Sequence, residues 1–430
     1  MINLIFNTPY LIRIISTLII ILLFNKIFDN LIISVLVGTI TLALWSGHSL
    51  QKIFLISWER FSSIDNIFLM IIIFQIIYLS SQMQKSNVMN DLVINIRSKI
   101  SQKASLAVLP AIIGLLPMPG GALFSAPMID DLDHDKRIEN HLKTKINYWF
   151  RHIWEYWWPL YPGVLLAISF TRLDIWQFML LQFPLSIFSI IGGYIFLLRK
   201  IKPNSINNER KNIESKHKLI FLIMPILIIV FVYTLIKLFF PVIFKISQYL
   251  PIMIGIIIAQ VALQIERPLT FNKWKEIFLS FKTIKLTIVV ALIRIYGAFI
   301  ETNLSDGTLI MDHIREELLL FGIPIILIII FIPFICGVTT GIAVGFVGAS
   351  FPIVINILGM APSLSDLLSY TVLAYASGYI GMILSPVHIC LLVTNEYFKT
   401  DLFKNIFQLI KPASIVFIGA VLMFIIIRLF

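Results

Sequence analysis

The sequence predicts an all-α integral membrane protein built from two inverted repeats of five transmembrane helices, each repeat carrying a re-entrant hairpin and a broken helix. Three observations lead there. Hydrophobic residues make up 58% of the 430 positions and charged residues 13%, with a mean hydropathy of +0.93, too little polar surface to cover a water-soluble globule. An interrupted apolar pattern occurs twice. Residues 114–127 read GLLPMPGGALFSAP, followed by FRHIWEYWWPLYPGVLLA at 150–167. Residues 337–352 read GVTTGIAVGFVGASFP, followed by SGYIGMILSPVHICLLVT at 377–394. Pro127 and Pro162 are 35 residues apart, Pro352 and Pro386 34. Finally, five crossings per half is an odd count, which turns the second half upside down relative to the first.

A helix needs about 20 apolar residues to cross the hydrocarbon core. The first repeat, 1–200, has such runs near 4–24, 28–46, 64–83, 145–170 and 174–198. No signal-peptide pattern opens the chain, so the first run is expected to stay in the mature protein. The hairpin is placed at about 104–128, because Lys103 and Pro117 stand too close together for a full crossing. The segment 145–170 is the broken helix, interrupted at Pro159 and Pro162. A polar linker, 201–216, separates the halves. The second repeat, 217–430, gives runs near 217–240, 247–265, 283–300, 367–393 and 408–429, with a hairpin at about 318–356 and the broken helix at 367–393. The run from Leu318 to Ile335 is also long enough to span, so this hairpin stands beside a two-span reading.

Charge gives the orientation. Most of the 34 Lys and Arg residues fall in one set of alternate loops, above all 199–218 and 267–285. The opposite set holds only Lys52, Arg60, Arg172, Lys237, Lys245, Arg315 and Arg428. Cytoplasmic loops collect such residues, so both termini are expected outside. The net charge of +11 is a topology signal rather than a nucleic-acid track. Cys336 and Cys390 lie inside apolar segments without a framework spacing and read as reduced packing residues.

Backbone that leaves helical geometry at membrane depth must meet protein, water or a ligand. In the first tip Pro117, Met118, Pro119, Gly120 and Gly121 break the helix and remove side chains. In the second, Val338, Thr339, Thr340 and Gly341 add two hydroxyls. Helix N-termini at such breaks favour anions. The competing reading of the glycines, including Gly345 and Gly348, is close helix packing. Ionisable groups within spans are candidates for function. His152 and Glu155 share a helix face and could carry a proton or organise a coupling ion. The alternative is that Arg151 and His152 sit among headgroups in a belt with Trp149, Trp154, Trp157 and Trp158. His388, after Ser385 and Pro386, could bind an anion or a proton, or hydrogen-bond between helices. Arg294 could pair with substrate, with Glu301 or with freed carbonyls. The acidic run Asp130, Asp131, Asp133 and Asp135 reads as a solvated capping turn rather than a calcium loop. No HExxH, P-loop, GxSxG or CxxC pattern occurs, so neither a metal site nor a resident cofactor is read from the chain.

The strings LPMPGGALFSAPMID (116–130) and SGYIGMILSPVHICLLVT (377–394) resemble an uncharacterised prokaryotic membrane family, domain of unknown function 401, which looks related to the ion transporter superfamily of gluconate permeases and dicarboxylate carriers. The resemblance implies a homodimer with a scaffold and a moving transport domain. It also implies that Tyr161, Pro162, Gly163, Ser385, Pro386 and His388 join the two tips in lining a substrate site. The paired Ser-Asn-Thr signatures of the sodium-coupled carriers are missing at both tips, which leaves the coupling ion open between proton and sodium.

These readings converge on a secondary transporter of a small organic or inorganic anion in the cytoplasmic membrane, working by alternating access, with the lipid bilayer and an anionic substrate as partners. The rivals are export of an anion, including an oxyanion, a membrane-embedded enzyme using His152, Glu155 and His388 on a lipid or phosphate substrate, and a scaffold or assembly factor.

Overall fold

A computed structural model describes residues 8–97, 99–117, 121–133, 136–201, 219–302, 304, 308, 310–359 and 362–429. Met118, Pro119, Gly120 and Asp135 lie outside the described residues, as does the predicted linker apart from Ile201. The helices of the first half are α1 (Tyr10–Phe28), α2 (Leu31–Trp45), α3 (Leu50–Ser62), α4 (Ile64–Lys85), α5 (Val88–Arg97), α6 (Gln102–Ile113), α7 (Ala122–Asp131), α8 (Asn140–Arg151), α9 (Pro162–Thr171) and α10 (Ile175–Phe196). The second half has α11 (Leu219–Phe239), α12 (Ile243–Ile246), α13 (Leu250–Glu266), α14 (Phe271–Phe278), α15 (Phe281–Glu301), α16 (Ile310–Leu320), α17 (Ile325–Thr340), α18 (Ala343–Ile357), α19 (Leu364–Ile383), α20 (Ile389–Phe398) and α21 (Leu402–Leu429).

Among the described residues five stretches are long and apolar enough to cross a membrane: α1, α4, the run through α10, the run α14–α15, and α21. The pair α16–α17, bent by 109°, makes a sixth if taken as one span. Of the other runs read as spans, those at α2 and α13 are short and those at 145–170 and 367–393 are interrupted. Helix α2 has 15 residues, and at 1.5 Å per residue it covers only about 22 Å of a core roughly 30 Å thick. Their faces are apolar outward as well as inward. On α10, Leu180, Ile187 and Ile191 are exposed, a multi-pass membrane pattern.

Four helices of eight residues or more were not anticipated: α3, α5, α14 and α16. They are short and amphipathic, and their charges keep them below the hydropathy of a span. Local sequence sets the starts of several others. Asn30, Ser49, Ser101 and Ser363 accept a backbone N–H as N-caps, Asp174 and Gln177 form a capping box, and Pro162 stands in the first turn of α9, where its missing N–H costs nothing.

Helix α6 packs on α7 and α8, and α17 on α18 and α19. Helix α9 packs on α18, and α20 on α7. The α17–α19 contact is backbone on backbone. A Cβ at Gly337 would fall 2.1 Å from the Gly378 carbonyl oxygen, and one at Gly381 2.2 Å from that of Phe334. Helix α17 begins at Ile325, after the chain turns from α16 over Phe321–Pro324, and closes at Gly341, whose φ of 63° is the left-handed closure that favours glycine after a helix.

The acidic run corrects one expectation. Asp133 is buried, not solvated. Its carboxylate accepts the backbone N–H groups of Arg137 and Ile138 at 2.9 and 3.0 Å and pairs with the buried Lys143 at 2.8 Å, beside Asp130 at 2.8 Å. Asp133→Asn is expected to lower stability by about 3 kcal/mol, the low end for breaking a buried pair because Asp130 remains. A thermal unfolding midpoint in detergent equal to that of the wild type would refute this.

Candidate functional site

The two helix breaks meet. Helix α8 ends at Arg151 and α9 starts at Pro162, while α19 ends at Ile383 and α20 starts at Ile389. Across the junction His152 Nε2 and His388 Nε2 stand 3.1 Å apart, their rings edge to face at 4.9 Å. Glu155 Oε1 lies 3.8 Å from His152 Nε2. Arg151 Nη1 points at Cys390 Sγ, 3.7 Å away. All five of these residues are buried.

Such breaks expose carbonyls, and tyrosines cover them. Tyr379 donates to the His152 carbonyl, Tyr375 to that of Glu155 at 2.8 Å, and Tyr148 to that of Ile383 at 2.9 Å. Tyr161 donates to the Gly114 carbonyl at the end of the first hairpin's incoming helix. The four tryptophans that read as a headgroup belt instead bond inward. Trp149 donates to the Ser189 carbonyl, Trp154 to that of Ala111, Trp157 to the Ser186 hydroxyl and Trp158 to the Leu115 carbonyl. The headgroup reading of Arg151 and His152 falls with them, since both side chains are sealed inside protein.

Gly121 and Gly341, one from each predicted tip, reach this junction. The Arg151 guanidinium lies against Gly121, where a Cβ would sit 2.1 Å from Nη2; any larger residue would displace it. At the other tip a Cβ on Gly341 would come within 3.0 Å of the His388 N and 3.1 Å of Ser385 Oγ. Ser385 ties tip to break, donating to the Val338 carbonyl at 2.6 Å and accepting from Val387 N at 3.2 Å. The starts of α9 and α18 touch, because Gly163 leaves room for Ala343. Of the predicted lining residues, Gly121, Tyr161, Gly163, Gly341, Ser385 and His388 are thus brought together, with Pro162 opening α9.

Others are not. Thr339 is exposed and bonds its own helix at the Ile335 carbonyl. Thr340 is buried but returns its hydroxyl to Cys336, and Pro117 is engaged through its carbonyl by Ser80 at 3.4 Å. Val338 contributes a carbonyl rather than a side chain. Pro386 is half-buried inside the second break. Gly345 and Gly348 serve packing, against Thr340 and Ile293. Arg294 bonds the Ser169 carbonyl at 3.3 Å and covers the Phe170 ring, whereas Glu301 pairs with Arg60 at 2.6 Å. Cys390 is the residue that sequence reasoning missed. Its one signal was the His-x-Cys spacing that starts two residues after Pro386.

Comparison with known proteins now adds the family. Residues 8–427 match the family described as Protein of unknown function (DUF401). The chain belongs to this family. No curated protein matches it. The family description names neither a substrate nor a reaction, so the chemistry of the junction has to speak for the function.

Proposed function

We propose that the protein is a secondary transporter of a small anion, and not an enzyme, working by alternating access in the cytoplasmic membrane with both termini outside and as a homodimer. The observation that carries the reading is the meeting of two helix breaks, with Gly121 and Gly341 beside them, around buried Arg151, His152 and His388. The starts of α7, α9, α18 and α20 lie at this junction, and helix N-termini with a buried guanidinium favour an anion.

The inverted-repeat reading is supported by packing. Pairing α1 with α11, α2 with α13, and α3–α10 with α14–α21 in order maps contacts of one half onto the other. Helix α6 on α8 corresponds to α17 on α19, α9 on α18 to α20 on α7, α5 on α11 to α16 on α1, and α3 on α15 to α14 on α4. The unanticipated amphipathic helices thus belong to the repeat, which reads as five crossings with a re-entrant hairpin α6–α7 or α17–α18. A cavity of about 310 Å³, lined by Lys85, Asn87, Ile113 and Phe124 among others, opens beside the first tip on the predicted cytoplasmic side. A smaller space of about 10 Å³ is lined by Thr340, Gly345 and Gly348 among others.

The test is thermal unfolding of the purified protein with carboxylates, phosphate and arsenite, each with and without sodium and at two pH values. A ligand at a hundred times its Kd should add about 2.7 kcal/mol, and His388→Ala should abolish the gain for the ligand that gives it. Absence of any anion-dependent shift in folded protein would overturn the proposal.

A further inference from the structure

We propose that His152 Nε2, His388 Nε2 and Cys390 Sγ bind a divalent transition-metal ion of the zinc and cobalt class, with the Glu155 carboxylate or an anion in the remaining position. The metal site stands on this cluster alone; what it does for an anion rests on the transport reading.

One ring nitrogen of each histidine and Cys390 Sγ lie within 4.8 Å of one another, and all three residues are buried. Ligands about 2.0–2.3 Å from a tetrahedral ion are separated by roughly 3.3–3.7 Å. The nitrogens, 3.1 Å apart, need to open only slightly around an ion. Glu155 Oε1, 3.8 Å from His152 Nε2, stands at the distance of a further ligand.

The tautomers support the assignment. His152 Nδ1 lies 2.6 Å from the Tyr148 carbonyl, which can only accept, so Nδ1 carries the proton and Nε2 keeps its lone pair. A carbonyl on the far nitrogen is the usual support of a metal-binding imidazole. In the metal-free state His388 Nε2–H donates to that lone pair. His388 Nδ1 is then an acceptor, buried with no hydrogen-bond partner among the described residues. Metal binding moves the His388 proton to Nδ1 and releases the Cys390 proton to solvent, since a coordinating thiol is bound as thiolate. The metal, one thiolate, the Glu155 carboxylate and the Arg151 guanidinium together leave one positive charge in a buried site. A monoanion neutralises it.

The experiment is a titration of chelator-stripped, full-length protein in detergent with Co2+ alone, followed by absorption. A sulfur-to-cobalt charge-transfer band should saturate at one ion per chain. Cys390→Ser should remove the band, Cys336→Ser should keep it, and His388→Gln should weaken Co2+ binding at least about tenfold. Absence of the band in the wild type, or its survival in Cys390→Ser, would overturn the site. So would unchanged affinity in His388→Gln, which keeps the test decisive if the cysteine variant does not fold. Anion shifts measured on the stripped protein report on the transport reading separately, so either idea can fail without the other.

Discussion

Gly337→Ala is expected to destabilise the protein by about 3 kcal/mol, the upper end of the usual cost of overpacking a core. The added methyl would lie 2.1 Å from the Gly378 carbonyl oxygen and 2.6 Å from the Met382 nitrogen. Neither is a side chain that can swing aside. Relief requires α17 and α19 to separate, which would also open the Ser385 to Val338 bond at the end of the same interface. Gly381→Ala meets the Phe334 carbonyl in the same way. Because one displacement of α17 accommodates both methyls, the double variant should cost clearly less than the sum of the singles, the non-additivity expected of neighbouring sites. Thermal unfolding midpoints in detergent measure this. Additive losses, or a wild-type midpoint for Gly337→Ala, would show that the two helices do not touch backbone to backbone.

The second large effect is Arg151→Ala. Its guanidinium is buried between Gly121 and Cys390 and is a cationic neighbour of buried Glu155. Removing one partner of a buried charge set costs roughly 3–5 kcal/mol, or on the order of a hundredfold to several thousandfold in affinity for a ligand that depends on it. Anion uptake by proteoliposomes should therefore be lost. Arg151→Lys should not restore it, because an ammonium lacks the planar fork that fills the space beside Gly121. Gly121→Ala offers an independent check from the opposite wall. Wild-type uptake by Arg151→Ala would remove the guanidinium from the substrate path.

Much of this was legible in the sequence, for a definite reason. Pro162, Pro386, Gly121 and Gly341 act on the backbone directly, so helix ends could be placed from residue type alone. Burial was harder. A Trp-rich stretch with Arg151 and His152 looks the same at a membrane surface as inside a bundle, and only the carbonyls of Ala111, Leu115 and Ser189, supplied by other helices, distinguish the cases. Asp133 was misread similarly, since its partner Lys143 arrives from the next helix. Cys390 carried almost no signal, because a single thiol in an apolar run acquires meaning only when His152, 236 positions away from His388, closes on it. The helices α3 and α14 escaped notice because hydropathy windows average away an amphipathic face.

The tyrosine bonds at the breaks have a mechanical consequence. Tyr375 and Tyr379 come from the second half and cover carbonyls of the first, while Tyr148 comes from the first and covers one of the second. Pulling the two breaks apart would strip at least three carbonyls of their partners at once among buried residues. In the proposed alternating-access cycle the breaks, with α8, α9, α19 and α20, would therefore travel as one rigid body. Sliding would fall to the seams where this body meets the rest, such as α9 against α4 and α18 against α15.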